Sequence, residues 1–402
     1  MQLIKEPIHG LISLDELQES LIDLPEIQRL SWIKQLGLGS LVYPGAQHTR
    51  FEHSLGVSYV AGMFADCLKL DKHEKYLVEA AGLLHDIGHT PFSHVLETLL
   101  PKDHMELTED LIVGKEVYPF PNAGKIPEIL EKFGLNPKEV AALINRKYSK
   151  NEYLQQIIHS EIDADQLDYL CRDSHYTGAR YGAVDVERII KTSVIRDNVL
   201  CFLEKGIEAI EDVLVARHHM YKAVYIHKTV RIADMMLLKA AQSCMDEIPD
   251  FYYYTDYELL MKLKNSKNDF AREMVTRILF RQLYKPAYLL QPIAEKIDIL
   301  KKLVELGAQK IEDILCEKTG LKKGKIIVDL PVEVLKISEP RLKKVNLKII
   351  TKEDEIVDLY DISQIARALS QVEGSKYAFS VYCVPEYREL VGNECRKFVE
   401  KI

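Results

Sequence analysis

The chain has 402 residues, of which 47% are hydrophobic, and a formal net charge of −8 at pH 7. This length is sufficient for two or three domains with a sizeable core, and the negative charge argues against general nucleic-acid binding without excluding a local positive pocket. No apolar run reaches the roughly 18 residues of a membrane span and no signal peptide is recognisable, so we expect no membrane association and a cytoplasmic location. The seven scattered cysteines, without a Cys-x-x-Cys pair, predict reduced thiols.

The first 68 residues predict two helices joined by a turn-rich segment. A helix is expected over residues 25–37, a short loop or strand over 38–44, and a second helix from the segment after residue 48 to about residue 68. In this second helix Arg50 and His53 are three positions apart and therefore share a face. Gly56 and Gly62 would let another helix approach closely. His53 alone is also compatible with a core or surface position.

Residues 79–97, EAAGLLHDIGHTPFSHVLE, are the most informative stretch. An apolar helix is predicted to end at an adjacent His-Asp pair, and a second helix to begin with Thr90 as N-cap and Pro91 at its first position. Burying so many polar groups at the end of an apolar helix is costly unless a divalent cation or a bound anion compensates. The candidate ligands in this stretch are His85, Asp86, His89 and His94.

Residues 101–150 are polar and interrupted by five prolines. This composition predicts an insertion or lid that contains short helices. His104 lies near its start and adds a titratable group close to the ligand-rich turn. A surface position for His104 is equally compatible with the sequence.

Residues 154–176 predict an amphipathic helix dense in acidic side chains. Asp165, Tyr169 and Asp173 are spaced by four and lie on one stripe. An exposed acidic face is one interpretation. The isoleucines and leucines on the same helix indicate substantial burial, which favours acids that face a polar cavity.

Residues 205–240 predict another long helix with a cationic and aromatic stripe formed by Arg217, Tyr221, Tyr225 and Lys228. Such a stripe on a buried helix suits a polyanion that carries a flat ring, which describes a nucleotide. An ordinary half-buried helix, with tyrosine hydroxyls reaching solvent, explains the same pattern.

The remaining chain predicts a change of architecture. We expect a helical extension over residues 241–320 and an α+β region over 321–402, with strands at 325–330, 345–350 and 377–384 and helices at 362–371 and 386–399. The predicted fold is therefore mostly α-helical, with a smaller α+β C-terminal region.

One acid from residues 163–168 would complete a donor set with His53, His85 and Asp86 from three predicted helices. Imidazole and carboxylate together suit Mn²⁺, Mg²⁺, Fe²⁺, Co²⁺ or Zn²⁺, and an octahedral ion with four protein ligands keeps positions for water and substrate. Such an ion polarises a phosphoryl oxygen and acidifies water, so the pattern predicts metal-assisted hydrolysis, most simply of a phosphate ester.

The spacing His…His-Asp…Asp resembles the HD phosphohydrolase superfamily. Longer motifs resemble its deoxynucleoside triphosphate triphosphohydrolases: PGAQHTRFEHSLGV at 44–57, HDIGHTPFSH at 85–94, IDADQLDYLCRDSH at 162–175 and YIHK at 225–228. The resemblance extends over residues 1 to about 240 and implies an HD-domain helical core there. The C-terminal region matches more loosely.

The resemblance also implies roles for individual residues. The implied metal ligands are His53, His85, Asp86 and Asp165. The implied phosphate contacts are Arg50, His89, His104 and, for the terminal phosphate, Arg217. His94 would be the general acid at the leaving 5′-oxygen, oriented by Glu97. The implied sugar and base contacts are Gln35, Leu36, Tyr169, Asp173 and Tyr225, with Tyr169 crowding a 2′-hydroxyl.

Four positions depart from the family pattern: Glu97 replaces an aspartate, Gln166 replaces a phosphate-contacting lysine, and Gln2 and Ser31 replace a lysine and an arginine of a regulatory guanine-nucleotide site. The implied reaction converts a dNTP to deoxynucleoside and tripolyphosphate with one divalent ion per site, in a homo-oligomer such as a dimer or tetramer. The alternatives are an HD phosphatase, pyrophosphohydrolase or phosphodiesterase that acts on another nucleotide, and a nucleotide sensor without turnover. A sensor would have no need of His94 and Glu97.

Overall fold

The computed structural model describes residues 2–290, 297–330, 347–371 and 379–402. Helices dominate, which confirms the predicted mostly α fold. The α-helices are α1 Glu16–Ile22, α2 Pro25–Gln28, α3 Arg50–Leu68, α4 Lys72–Leu84, α5 His104–Ile112, α6 Ile126–Lys132, α7 Pro137–Ile144, α8 Glu152–Ile158, α9 Ala164–Thr177, α10 Val186–Lys191, α11 Ile207–Met220, α12 Lys228–Gln242, α13 Asp256–Lys264, α14 Asp269–Leu279, α15 Ile297–Leu306, α16 Ala308–Thr319, α17 Leu359–Ile362, α18 Gln364–Gln371 and α19 Arg388–Val399.

Short strands form three small sheets among the described residues. The strands are β1 Leu3–Glu6, β2 Gly10–Ser13, β3 Ser193–Arg196, β4 Val199–Leu203, β5 Lys285–Leu290, β6 Ile326–Asp329, β7 Lys348–Ile350, β8 Ile356–Asp358 and β9 Phe379–Cys383. Strands β1 and β2 form a hairpin, and the other sheets have the orders β3-β4-β7-β8 and β5-β9-β6. Strand β7 pairs in parallel with β4, so the C-terminal part of the chain adds strands to a sheet begun after α10.

The site is built on helices α3, α4 and α9, which pack closely because small residues lie at their contacts. A Cβ atom on Gly82 of α4 would lie 3.0 Å from the Cα of Ser58 in α3, and one on Gly56 of α3 would lie 1.9 Å from Oδ1 of Asp168 in α9. The predicted close approach to Gly56 is therefore confirmed. Near the start of α3, which begins after its N-cap Thr49, His53 lies against His85 at the end of α4.

The segment predicted as an insertion or lid forms α5, α6 and α7. Its apolar residues are continuous with the main hydrophobic core, which includes Leu107, Leu111, Leu130 and Leu143. The segment is thus packed on the helices that carry the site. Within the described part of the chain, no helix combines the length and the apolar character needed to cross a bilayer.

Three predicted helices are wrong in extent. The helix expected over 25–37 is only α2 followed by a 3₁₀-helix at Arg29–Trp32. A second 3₁₀-helix at Gly37–Leu41 covers the first part of residues 38–44, which were expected to form a loop or strand. The helix expected over 154–176 is divided into α8 and α9, because Asp163 accepts from the backbone N–H of Gln166 and begins a new helix. The helix expected over 205–240 is divided by a π-helix at Tyr221–Tyr225.

The second helix expected after the His-Asp pair is also wrong. Thr90 is not an N-cap, because its hydroxyl donates to the carbonyl oxygen of Ser93. Phe92 and Ser93 have φ angles of 57° and 58°, and only short 3₁₀-helices follow at Ser93–Val95 and Glu97–Leu99. The buried carboxylate of Asp256 holds this turn by accepting from the backbone N–H of Phe92 at 2.7 Å.

The C-terminal predictions are confirmed for most elements. Strands β6, β7 and β9 and helices α18 and α19 lie within the predicted ranges, although residues 345–346 and 377–378 of two predicted strands lie outside the described residues. The prediction of a helical extension over 241–320 is incomplete, because this region also contains strand β5, which pairs antiparallel with β9. All seven cysteines are free thiols, as expected.

Candidate active site

A cluster of imidazole and carboxylate groups lies where α3, α4 and α9 meet. His53 comes from α3, His85 and Asp86 immediately follow α4, and Asp165 lies in the first turn of α9. The Nε2 atom of His53 is 3.0 Å from Oδ1 of Asp165 and 3.3 Å from Nε2 of His85. Nε2 of His85 is in turn 3.2 Å from Oδ1 of Asp86. Four of the sequence-predicted residues are thus brought together.

The hydrogen bonds behind this cluster show that it suits a cation. Nδ1 of His85 lies 2.7 Å from the carbonyl oxygen of Gly82, which can only accept, so this nitrogen carries a hydrogen. Nδ1 of His53 is likewise 2.8 Å from the carboxylate of Asp168. Both Nε2 atoms, when the rings are neutral, therefore direct lone pairs into the same small space. His53, His85 and Asp86 form a group whose ligand atoms lie within 4.8 Å of one another, and such a group could hold a divalent metal.

The charges around the cluster are consistent with this fit. Burial opposes the charged form of His53, but the hydrogen bonds to Asp165 and Asp168 outweigh it and raise the pKa of His53 to about 10. Burial also opposes ionisation of Asp86, but the positive charge of Arg50, with His85 and His89, holds the pKa of Asp86 well below its usual range. The carboxylates around His53 therefore favour a positive charge at its position, from a proton or from a metal ion.

Beside the cluster, three further histidines form a second group that Glu97 organises. Glu97 Oε2 accepts from Nδ1 of His94 at 3.0 Å, and its Oε1 accepts from Nδ1 of His104 at 2.5 Å and from the backbone N–H of His104 at 2.8 Å. His89 stacks on His104 at 4.0 Å between ring centroids, and its Nε2 is 3.2 Å from Oδ1 of Asp86. Asp86 thereby connects the two groups.

This second group is poised for proton transfer. Burial opposes the charge of Glu97, but the hydrogen bonds from His104 and His94 outweigh it and lower the pKa of Glu97 far below its usual range. Burial lowers the pKa of His94, against the effect of its bond to Glu97. His94 is therefore held in one orientation, with no hydrogen-bond partner on its Nε2 among the described residues, and its lowered pKa makes the protonated ring a better proton donor.

Both groups open into one cleft of about 1050 Å³. Glu97 lies behind His94 and His104 and does not line it. The other residues that the sequence assigned to the site do line it: Gln35, Leu36, Arg50, His53, His85, Asp86, His89, His94, His104, Asp165, Tyr169, Asp173, Arg217 and Tyr225. Lys228, the last member of the predicted cationic stripe, is exposed and is absent from the cleft lining, because the π-helix changes the register before α12 begins.

One part of the cleft wall is polar and aromatic. Asp173 accepts from the hydroxyl of Tyr225 at 2.8 Å and lies 2.8 Å from Nε2 of His48, while the rings of Tyr169 and Tyr225 meet edge to face at 6.0 Å. Gln35 contributes a buried Oε1 atom without a hydrogen-bond partner among the described residues. This wall can therefore accept a hydrogen bond from a hydroxyl-bearing ligand.

Another part of the wall carries positive charge. Arg217 donates from Nη1 to Oε1 of Gln166 at 3.3 Å and lies 3.8 Å from Glu161, while its buried Nε has no partner among the described residues. Arg50 donates from Nε to Ser93 at 2.7 Å and pairs with Asp86 through Nη1. These two guanidinium groups thus reach the same cleft, which Arg146 and Arg231 also line.

From the sequence, Asp168 was only one of several candidate acids, and no role was assigned to three other residues behind the site. Asp168 supports His53, and His48 supports Asp173; both lie inside the quoted motifs. Arg172 and His9 contact Asp168, and His9 lies 159 residues from it in the chain. Periodicity cannot reveal such distant partners. The only available signal was that these polar residues lie beside predicted ligands or at a turn.

Known proteins share this architecture. A model of the HD domain matches residues 50–173. A model of the HD-associated region matches residues 184–400, and this second match alone covers more than half of the chain. The chain belongs to the HD-domain phosphohydrolase family. Its helices α3, α4 and α9, which carry the four clustered residues, lie largely within the matched HD domain.

Individual relatives extend over most of the chain. Protein MJ1154 of Methanocaldococcus jannaschii is 35% identical over 100% of this chain and 84% of its own length. The human deoxynucleoside triphosphate triphosphohydrolase SAMHD1 is 30% identical over 83% of this chain, which spans 61% of that enzyme. The crystal structure of a phosphohydrolase from Bacteroides thetaiotaomicron is 27% identical, with a TM-score of 0.72 over 96% of this chain and 100% of that one.

Proposed function

We propose that this protein is a metal-dependent nucleotide phosphohydrolase that converts dNTPs to deoxynucleosides and tripolyphosphate. The observation that carries the proposal is that a metal-binding donor set, an oriented histidine and two guanidinium groups line one cleft large enough for a nucleotide. The similarity of the chain to the human dNTP triphosphohydrolase SAMHD1 supports dNTPs as the proposed substrates.

His53, His85, Asp86 and Asp165 would hold the metal ion. A divalent cation bound there supplies Lewis-acid polarisation of a phosphoryl oxygen and a more acidic water molecule. Of the metals that suit this donor set, we propose Mn²⁺ or Mg²⁺ for the first assays, and Fe²⁺, Co²⁺ and Zn²⁺ for comparison.

The other residues would bind and orient the triphosphate. Arg50, fixed by Asp86 and Ser93, would neutralise charge on the α-phosphate. Arg217 would use its Nε, which has no partner in the described part of the chain, for the terminal phosphate. His94, oriented by Glu97, would donate a proton from Nε2 to the leaving 5′-oxygen, while His89 and His104 contact the phosphate under attack.

The sugar would lie against the polar and aromatic wall. Asp173 and Oε1 of Gln35, which no described residue contacts by a hydrogen bond, would accept hydrogen bonds from the deoxyribose, with Leu36 packing on the sugar. Tyr169 would occupy the space of a 2′-hydroxyl, and Tyr225 would lie near the sugar or base. Homo-oligomerisation and a cytoplasmic location stay predictions of the sequence.

One observation favours a second candidate, an HD phosphatase or pyrophosphohydrolase that acts on another nucleotide. Gln166 follows Asp165 where the family pattern has a phosphate-contacting lysine, and it is bonded to Arg217. A site with one fewer positive charge binds a long phosphate chain less strongly.

The test is to incubate the protein with each dNTP and rNTP and Mn²⁺ or Mg²⁺, and to separate the products by chromatography. The proposal predicts deoxynucleoside with tripolyphosphate, little turnover of rNTPs, and no turnover by His85→Ala or Asp86→Ala. Nucleoside mono- or diphosphates as products would favour the second candidate. Unchanged turnover in either variant would refute the site assignment, and tight binding without turnover would indicate a sensor.

A further inference from the structure

The turn of the N-terminal hairpin reaches the back of the proposed metal site. Nε2 of His9, between β1 and β2, is 2.7 Å from Oδ1 of Asp168. The second oxygen of Asp168 is 2.8 Å from Nδ1 of His53, whose Nε2 faces Asp165 and His85. An unbroken series of short polar contacts therefore extends from residue 9 to the proposed metal-binding nitrogen.

The carboxylate of Asp168 is held from every side. Its side chain has no solvent exposure, and Arg172 donates to both of its oxygens, from Nη2 and from Nε, at 2.8 Å each. With His9 and His53, four contacts use the roughly four acceptor positions of a carboxylate. Gly56 leaves room for this group, because a Cβ atom there would lie 1.9 Å from Oδ1.

The same turn is fixed to this buried group by a second residue. Glu6 pairs with Nη1 of Arg172 through one oxygen, and its other oxygen accepts from the backbone N–H groups of Ile8 at 2.9 Å and His9 at 2.6 Å. Glu6 and Arg172 are both buried. The position of the His9 ring is therefore set by the charge pair that also orients Asp168.

We propose that His9 is a positioning residue for the metal site, acting through Asp168 on His53. The inference rests on the proposed function only in taking His53 as a metal ligand. With His9 in place, Asp168 keeps one oxygen on Nδ1 of His53, which fixes the tautomer and the ring plane and directs the Nε2 lone pair at the ion. Without the His9 donor, Oδ1 of Asp168 keeps only its bond from Arg172, and the carboxylate can tilt out of the guanidinium plane and weaken its contact with His53.

A simpler role for His9 is to pack the hairpin, because its ring lies 5.3 Å from that of Tyr59. Two substitutions separate these roles. His9→Phe keeps an aromatic ring but has no donor, whereas His9→Gln loses the ring but keeps an N–H donor at nearly the same reach. His73→Phe is the matched control, because His73 is exposed on α4.

The readout is Mn²⁺ affinity of the metal-free protein without substrate, measured by electron paramagnetic resonance of free Mn²⁺. Removing an outer partner of a metal ligand typically lowers affinity about 10- to 100-fold. We expect about tenfold weaker binding for His9→Phe, at the lower end because His9 acts through Asp168, and a larger loss for Asp168→Asn. His9→Gln and His73→Phe should bind as the wild type does.

His53→Ala distinguishes failure of this inference from failure of the proposed site. If His53→Ala abolishes Mn²⁺ binding and His9→Phe binds as tightly as the wild type, His9 has no positioning role. If His9→Gln loses as much affinity as His9→Phe, ring packing and not the hydrogen bond is responsible, and the inference is again wrong. If His53→Ala binds Mn²⁺ normally, the metal site itself is misassigned. The His9 variants decide the question even if Asp168→Asn fails to fold.

Discussion

Glu97→Gln tests the histidine group without touching the metal cluster. In the wild type both carboxylate oxygens accept from a histidine Nδ1, one from His94 and one from His104. A glutamine offers one oxygen and one NH₂ group, so it can accept from only one of the two rings. The other histidine ring then faces the NH₂ group, which is a donor, so that ring must change its tautomer or rotate.

The expected effect on catalysis follows from the role of His94. A positioned general acid contributes roughly 10²–10⁴-fold, and a mispositioned one forfeits much of this, so we expect kcat to fall about 10²–10³-fold, equivalent to roughly 3–4 kcal/mol. Stability should also fall by about 1–3 kcal/mol at neutral pH, because the bonds to a charged acceptor are lost. Since the pKa of Glu97 is lowered by folding, this stabilisation is present above its unfolded pKa and disappears as the pH falls toward the folded value.

The assay compares kcat for dATP with Mn²⁺ affinity in Glu97→Gln and in Glu128→Gln, a control at an exposed position of α6. The account predicts a large loss of kcat in the first variant, with Mn²⁺ affinity unchanged in both. If Glu97→Gln retains wild-type kcat while remaining folded, Glu97 does not orient an acid. If it loses Mn²⁺ binding instead, the histidine group and the metal cluster are not separate in function.

Three further predictions concern specificity and pH. Tyr169→Ala should raise the kcat/KM ratio of rNTPs to dNTPs by about tenfold, since it opens space for a 2′-hydroxyl; an unchanged ratio in competition assays would contradict this. Gln166→Lys should lower KM for dNTPs about fivefold and for dNDPs less, because it adds a cation near Arg217; equal effects would argue against a triphosphate subsite. Burial, together with the nearby Asp15 carboxyl group, raises the pKa of Glu79 to about 8, so ionisation of Glu79 destabilises the fold at higher pH. Glu79→Gln should therefore be more stable than the wild type by roughly 4–5 kcal/mol at pH 9 and similar near pH 4, measured by urea unfolding.

Local patterns predicted His53, His85 and Asp86, because these residues lie at the start or the end of an apolar helix, whereas only the family resemblance selected Asp165 among the acids at 163–168. His85 and Asp86 close an apolar helix, and His53 lies in the first turn of one. The breaks within longer helices were missed. Apolar spacing continues across residues 159–163, although the side chain of Asp163 caps a new helix there. The π-helix at Tyr221–Tyr225 widens a turn, and the spacing of apolar residues does not reveal this change.

Long-range contacts explain the remaining differences. The turn after the His-Asp pair is fixed by Asp256, which lies 164 residues from Phe92 in the chain, and strand β7 is defined by its pairing with β4. The contacts of Asp168 with His9 and with His53 depend on the same kind of distant approach. Single-sequence reasoning has no access to such pairs, since spacing reports only on neighbours within one element.

The most direct test of the central claim is product analysis after hydrolysis of dGTP in H₂¹⁸O, with Mn²⁺ and the wild-type protein. If water attacks the α-phosphorus and the 5′-oxygen leaves, mass spectrometry will find one ¹⁸O atom in tripolyphosphate and none in deoxyguanosine. Orthophosphate or pyrophosphate as the first labelled product, or ¹⁸O in the 5′-hydroxyl of the nucleoside, would contradict the account.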